Sequence, residues 1–142
     1  MNTYVLDSYA LLQYFQNEPD SEILEKVLSH CHKMKRKALL SLINWGEIYY
    51  IVKRRFGDNH LQTVLQHIEQ LPIQCIPVDE EIVQDASELK AQYPISYADS
   101  FCAAVAQKHK AVLVTGDPEF KVIEKVIPIL WTNKDQFQPD EL

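Results

Sequence analysis

The sequence predicts a three-layer α/β/α sandwich with a central, mainly parallel sheet of four to five strands. Short β-rich apolar runs alternate along the chain with longer segments that repeat apolar residues at helical spacing. The first run, residues 3–7, is apolar up to its last residue, as in a strand buried on both faces of a sheet. Because a parallel pair of strands needs a crossover connection, alternating strands and helices indicate a parallel sheet.

The first half of the chain contains two predicted strands and three predicted helices. The helix at 20–35 begins at a capping residue, Asp20 or Ser21, and the helix at 42–56 ends at Gly57, where a C-terminal cap is common. In order, the elements are a strand at 3–7, helices at 8–16 and 20–35, a strand at 38–41 and a helix at 42–56.

The second half continues the alternation. Asp58 is predicted to cap a fourth helix that ends before Pro72, and Asp79 to start a fifth helix that Pro94 interrupts. The remaining elements are strands at 73–78, 111–115 and 129–132 and helices at 98–109 and 118–125. We therefore expect a single domain over residues 1–133, followed by a polar C-terminal tail at 134–142.

Size and composition are those of a soluble globular protein. The 142 residues suffice for one hydrophobic core, and the 46% hydrophobic and 24% charged content excludes a disordered or fibrous chain. No apolar run approaches the ~18 residues of a membrane span, and the first residues do not resemble a signal peptide. Three widely spaced cysteines argue against a disulfide framework. We expect a cytoplasmic protein with no membrane association.

The net charge of −6 argues at first against a nucleic-acid partner. Four acidic residues described next are candidate metal ligands, however, and leaving them out changes the balance from −6 to −2. The basic residues are clustered, at residues 33–37 and 53–55. Taken alone, each cluster is better explained as a solvated helix end than as a phosphate site. The residues predicted to contact nucleic acid are Lys35, Arg36, Lys53, Arg54 and Arg55.

Four acidic residues interrupt apolar stretches, where an uncompensated carboxylate is costly. Asp7 and Asp117 follow predicted strands, and Glu47 and Asp99 lie in the first turns of predicted helices. In an open parallel sheet, the ends of the strands and the starts of the following helices meet at one edge, where active sites lie. We therefore expect the four carboxylates to lie together and to bind a divalent cation.

Each of the four acids also has a purely structural explanation. Asp7 and Asp117 could cap the helices that follow, and Glu47 and Asp99 could interact favourably with helix dipoles. The coincidence of four such positions favours a site, as does a polar residue close to each acid. These residues are Ser8, Asn44, Ser96 and Thr115.

Four stretches of the chain resemble the motifs of PIN-domain ribonucleases, and among these the VapC-like toxins of type II toxin–antitoxin systems. Each motif alone is weak, but the four occur in the order of the family and span most of the chain. They are YVLDSYALL at 4–12, INWGEI at 43–48, YADSFCAAVA at 97–106 and LVTGDPEF at 113–120.

The resemblance implies a metal-dependent endoribonuclease that uses Mg²⁺ or Mn²⁺, forms a homodimer and is neutralised by an antitoxin protein. It implies that Asp7, Asp99 and Asp117 lie nearest the metal and that Glu47 lies close by or acts through water. Ser8 and Thr115 match supporting hydroxyl residues of the family. Gly116 and Glu119 stand where family members often carry a basic residue and an aspartate; Asn44 and Glu119 are further supporting candidates.

The chemistry of a phosphodiesterase agrees with these residues, because Mg²⁺ takes oxygen ligands and can activate water for an in-line attack. Two other classes remain open. One is a catalytically inactive PIN-fold module that binds nucleic acid. The other is a haloacid-dehalogenase-like phosphatase, which normally has a second aspartate at the position of Tyr9.

Overall fold

The computed structural model describes residues 2–18 and 21–133, so the tail predicted at 134–142 lies outside the described residues. Its strands form one five-stranded sheet in which every pair is parallel. The predicted fold class is confirmed. The strands are β1 (Tyr4–Leu6), β2 (Ala38–Ser41), β3 (Ile73–Ile76), β4 (Val112–Thr115) and β5 (Ile129–Trp131).

Six α-helices cover the two faces of the sheet. One core packs the first four helices against the sheet, and a second core packs the last two against the opposite face. The helices are α1 (Ser8–Phe15), α2 (Glu22–Lys33), α3 (Leu42–Phe56), α4 (Asp58–Gln70), α5 (Glu80–Gln92) and α6 (Tyr97–His109). None of these described helices is both long and apolar enough to cross a membrane.

The two cores explain why the central strands are apolar at every position. Along β1, Tyr4 and Leu6 point into the core beneath α1 to α4, whereas Val5 points into the core beneath α5 and α6. All three are at most 2% exposed. Successive side chains of a strand alternate between faces, so a strand between two helical layers must be apolar throughout.

The strand order β3-β2-β1-β4-β5 fixes where a ligand site can form. The chain adds strands outward from β1 to β3 and then returns to the other side of β1 to add β4 and β5. The direction of winding therefore reverses between β1 and β4. In this fold class, the carboxyl ends of the two strands at such a reversal border the ligand crevice. Leu6 pairs with Val114, so Asp7 and Thr115 leave the sheet side by side.

Three local details differ from the predictions. Residues Pro118–Ile123 form a short 3₁₀ helix instead of an α-helix over 118–125. Asp58 is the first residue of α4 and makes no cap, because its carboxylate pairs with Lys53 at 2.7 Å. Ser21 precedes α2 without a side-chain cap bond, and Asp20 lies outside the described residues.

Candidate active site

Asp7 lies directly after β1 and caps α1. Its Oδ1 accepts a hydrogen bond from the Ala10 amide at 2.8 Å, and its Oδ2 accepts one from the Thr115 hydroxyl. The side chain is only 1% exposed. The structural explanation of Asp7 as a helix cap is therefore correct, but it does not account for the second oxygen or for the burial of the charge.

Asp117 follows β4 and caps the 3₁₀ helix in a similar way. Its Oδ1 accepts a hydrogen bond from the Glu119 amide at 3.0 Å. Its own amide donates to Thr115 Oγ1 at 2.9 Å, while the same hydroxyl donates to Asp7. Thr115 thus links the acid after β1 to the acid after β4, which explains the need for a hydroxyl two residues before Asp117.

Glu47 lies in the second turn of α3, and not in its first turn as predicted, because the helix already begins at Leu42. It is held through one oxygen. Its Oε1 accepts from Ser8 Oγ and from Asn44 Nδ2, both at 2.9 Å. Asn44 is fully buried and also donates to the carbonyl of Ala98 at 3.4 Å. Its Oδ1 is buried and has no hydrogen-bond partner among the described residues. Ser8 and Asn44 therefore fix the orientation of Glu47 and leave its Oε2 for other contacts.

Asp99 lies in the first turn of α6 and is 8% exposed. Ser96 caps this helix, since its Oγ accepts from the Asp99 amide at 3.1 Å. The Ser96 amide in turn donates to Glu119 Oε1 at 2.8 Å. This bond ties the start of α6 to the 3₁₀ helix and holds Glu119 beside Asp99.

These acids border one open cavity of about 410 Å³ at the carboxyl edge of the sheet. Asp99, Asp117 and Glu119 can place one carboxylate oxygen each within 4.8 Å of one another. Glu47 also lines the cavity, whereas Asp7 does not line it and is linked to Asp117 through the Thr115 hydroxyl. A set of carboxylate oxygens at this spacing fits a hard divalent cation such as Mg²⁺ or Mn²⁺. The assignment of Asp7, Glu47, Asp99 and Asp117 as metal ligands stays a prediction.

The electrostatics of the cluster also favour a cation. Burial raises the pKa of Asp7 to about 8, and the nearby charges of Asp99 and Asp117 add to the effect. Burial likewise raises the pKa of Asp99 to about 7, with further contributions from Asp117 and Glu119. Desolvation and like charges both disfavour the ionised form of an acid. A bound cation would offset both effects.

The predicted basic contacts separate into three groups. Arg55 lines the cavity. Lys53 pairs with Asp58, and the guanidinium of Arg54 lies 5.6 Å from the centre of the Tyr50 ring.

Lys35 and Arg36 precede β2 and therefore lie at the opposite edge of the sheet from the acids. There they border a separate cavity of about 250 Å³. Their contact with RNA stays a prediction, and such a contact would be remote from the acidic cluster.

Several cavity residues were not among the predicted site residues. Ser96 was noted only as a polar neighbour of Asp99, although it contacts Glu119 as well. Tyr9 and Gln13 line the cavity from α1, and Gln16 lines it from the C-cap position of that helix. Their spacing of four and three residues places them on one face of the helix, but no local pattern indicates that this face borders the acids.

Together, the parallel sheet and the carboxylates at its winding reversal define an α/β protein with a candidate divalent-cation site at the switch point. The chain belongs to the PIN domain family, whose model matches residues 4–126. Comparison with curated protein sequences gave no significant match.

Solved structures of toxin–antitoxin proteins have the same fold. DNA-bound VapBC from Salmonella typhimurium includes a chain with 16% identity and a TM-score of 0.74, covering 93% of this chain and 99% of that one. VapBC2 from Rickettsia felis, bound to a promoter DNA fragment, gives 21% identity and a TM-score of 0.73, covering 90% and 97%. VapC20 from Mycobacterium tuberculosis, a sarcin–ricin loop cleaving toxin, has 14% identity and a TM-score of 0.61, covering 78% of this chain and 87% of that one.

Proposed function

We propose that this protein is a divalent-metal-dependent endoribonuclease that hydrolyses RNA phosphodiester bonds. The observation that carries the proposal is the convergence of Asp99, Asp117 and Glu119 in the cavity at the switch point of a PIN domain. The link from Asp7 through Thr115 to Asp117 and the presence of Glu47 in the same cavity support it. A cluster of acids in an open cavity has little structural benefit of its own, since its members repel one another.

Asp99, Asp117 and Glu119 would hold Mg²⁺ or Mn²⁺, with Asp7 and Glu47 completing the site directly or through water. The bound ion would supply charge stabilisation of the phosphate and a more acidic water. Ser8 and Asn44 orient Glu47, whose Oε2 is suited to accept a proton from the attacking water. Thr115 fixes the relative positions of Asp7 and Asp117.

We further propose that the chain is the toxin of a toxin–antitoxin pair, acts as a homodimer in the cytoplasm and is neutralised by an antitoxin protein. The support is the similarity in fold to chains of the VapBC complexes from Salmonella typhimurium and Rickettsia felis. The unpaired cysteines Cys31, Cys75 and Cys102 agree with a reducing compartment.

A cleavage assay on the purified full-length chain tests the ribonuclease proposal. We expect cleavage of single-stranded RNA and of the unpaired loops of structured RNA with Mg²⁺ or Mn²⁺, and none with EDTA. Asp99→Asn and Asp117→Asn should lose at least about 100-fold in kcat, because each removes a charged oxygen ligand. Glu88→Gln, which changes an exposed acid on α5, is the matched control and should retain activity.

Two outcomes would contradict the ribonuclease proposal. Cleavage that persists in EDTA would exclude the metal-dependent mechanism. RNA binding without cleavage under every metal condition would favour the inactive nucleic-acid-binding module. The toxin role is tested separately by induced expression in bacteria: growth should stop with the wild type, continue with Asp99→Asn, and recover when the protein from an adjacent small reading frame is co-expressed.

A further inference from the structure

The cavity has a basic and an aromatic wall that the proposed chemistry does not use. Glu47, Ile51 and Arg55 line it from α3 at intervals of four residues, so they lie on one face of that helix. Tyr9 lines it from α1 and is 39% exposed. Arg55 is the only Lys or Arg among the described residues that line this cavity.

Arg55 differs from its two basic neighbours in being available to a ligand. Lys53 is in an ion pair with Asp58, and Arg54 lies over the Tyr50 ring. None of the ion pairs among the described residues includes Arg55, and its side chain is exposed at the mouth of the cavity. A guanidinium in this position is suited to phosphate, which it binds through two parallel hydrogen bonds.

Tyr9 lies close to the acidic cluster because Gly116 has no side chain. A Cβ at Gly116 would lie 3.0 Å from Tyr9 Cε1, so the ring edge rests against the backbone one residue before Asp117. An exposed aromatic ring beside a phosphodiesterase centre offers a stacking surface for an unpaired base. The cavity, at about 410 Å³, lies in the range of small-ligand sites and is large enough for one nucleotide.

We infer that Tyr9 and Arg55 form a subsite for one unpaired nucleotide of the RNA substrate. The base stacks on the Tyr9 ring, and Arg55 binds a phosphate next to the one that is cleaved. Eight residues separate Glu47 from Arg55, or about 12 Å along the helix, and this separation favours a neighbouring phosphate over the scissile one as the group that Arg55 binds. This inference rests on the proposed ribonuclease function and specifies its substrate as single-stranded RNA.

The test measures binding of a 5′-labelled single-stranded RNA 10-mer to the full chain by fluorescence anisotropy. Ca²⁺ replaces Mg²⁺, and gels verify that the RNA stays intact. Arg55→Ala should weaken binding about 10-fold. It should also reduce the slope of log K against log salt by about 0.7, the value for one phosphate contact on a single strand. Tyr9→Leu should weaken binding about 5- to 100-fold without changing that slope, whereas Tyr9→Phe should bind like the wild type.

The chain offers matched controls for both substitutions. Arg54→Ala changes the net charge by the same amount, on the same helix, outside the cavity. Tyr50→Leu is the control for Tyr9→Leu, because it removes an exposed tyrosine ring from α3 that does not line the cavity. Equal weakening by Arg54→Ala and Arg55→Ala would overturn the phosphate contact, and wild-type binding by Tyr9→Leu would overturn the stacking contact. A wild type that binds no RNA would overturn the subsite altogether.

Cleavage of the same RNA with Mg²⁺ separates this inference from the proposed function. Substitution of Tyr9 or Arg55 should raise KM more than it lowers kcat, because both residues contact substrate away from the cleaved bond. A wild type that binds through these two residues and does not cleave would refute the ribonuclease and leave the subsite intact. A wild type that cleaves with a KM insensitive to both substitutions would refute the subsite alone.

Discussion

Replacing Asp7 by asparagine is expected to stabilise the metal-free protein at neutral pH while it abolishes cleavage. The buried carboxylate has a pKa of about 8 in the folded protein, against an ordinary value of 3.8, chiefly because burial removes it from water. Asparagine has nearly the same shape. Its Oδ1 can accept from the Ala10 amide, and its amide group can donate to Thr115 Oγ1.

The size of the effect follows from proton linkage. Since its pKa is raised on folding, Asp7 binds more protons in the folded state, and its ionisation lowers the free energy of unfolding as pH rises. This loss of stability from ionising Asp7 is absent below about pH 4 and complete above about pH 8. Between these limits the loss grows by somewhat over about 1 kcal/mol per pH unit, or about 3 kcal/mol from pH 5 to pH 7. In a domain of this size, that corresponds to roughly 8 °C in Tm.

The assay is thermal unfolding in EDTA between pH 5 and pH 8, followed by circular dichroism. The quantity of interest is the Tm of Asp7→Asn minus that of the wild type, because the effects of carboxylates remote from Asp7 cancel in this difference. It should increase steadily with pH. Asp79→Asn is the control, since Asp79 caps α5 through the Ile82 amide but is exposed. Parallel curves for Asp7→Asn and the wild type would refute the reasoning, and the same trend in Asp79→Asn would exclude burial as the cause.

Three further predictions concern the surroundings of Asp7. Thr115→Val should lower the free energy of unfolding, measured by urea denaturation, by about 2–3 kcal/mol, because it removes the donor to the buried Asp7 and the acceptor of the Asp117 amide. Thr115→Ser should retain most of the stability. Gly116→Ala should lower the free energy of unfolding by about 1–3 kcal/mol, since its Cβ would lie 2.5 Å from Thr132 Oγ1. An additional Thr132→Ala substitution should restore part of this loss. A double variant with no recovery would contradict the clash. Millimolar Mg²⁺ or Mn²⁺ should raise the Tm of the wild type, more at pH 8 than at pH 5.5, because ligand carboxylates must be deprotonated; an unchanged Tm would count against the metal site.

The positions of Asp7 and Asp117 could be predicted because strand ends are local features of a sequence. Once the strands are recognised and the sheet is taken as parallel, both residues must lie at one edge. The sequence identifies Glu119 as a candidate, but it does not predict the position of its carboxylate in the site. The expected α-helix over 118–125 is a short 3₁₀ helix, and this tighter turn lets the Glu119 carboxylate accept from the Ser96 amide. That contact joins segments 23 residues apart, which no local pattern encodes.

The basic cluster at residues 53–55 illustrates a different limit. Adjacent residues of a helix point about 100° apart, so three consecutive cations must face three different surroundings. Composition identifies the cluster but not which member faces the acids. Tertiary packing decides this: α3 presents Arg55 to the cavity and leaves Lys53 to Asp58 and Arg54 to Tyr50.

Helix capping and metal binding are compatible roles for Asp7 and Asp117, although the sequence presents them as alternatives. An ionised carboxylate has about four lone-pair sites, and the amide of Ala10 and the hydroxyl of Thr115 each use one site of Asp7. The remaining sites are still available to a ligand. The capping bonds also hold the carboxylates in place without a cation, so the chain is able to fold first and bind metal afterwards. Because burial raises the pKa of Asp7 and Asp99 in the metal-free state, a cation that binds near neutral pH would displace protons from them, and its affinity should increase as the pH rises.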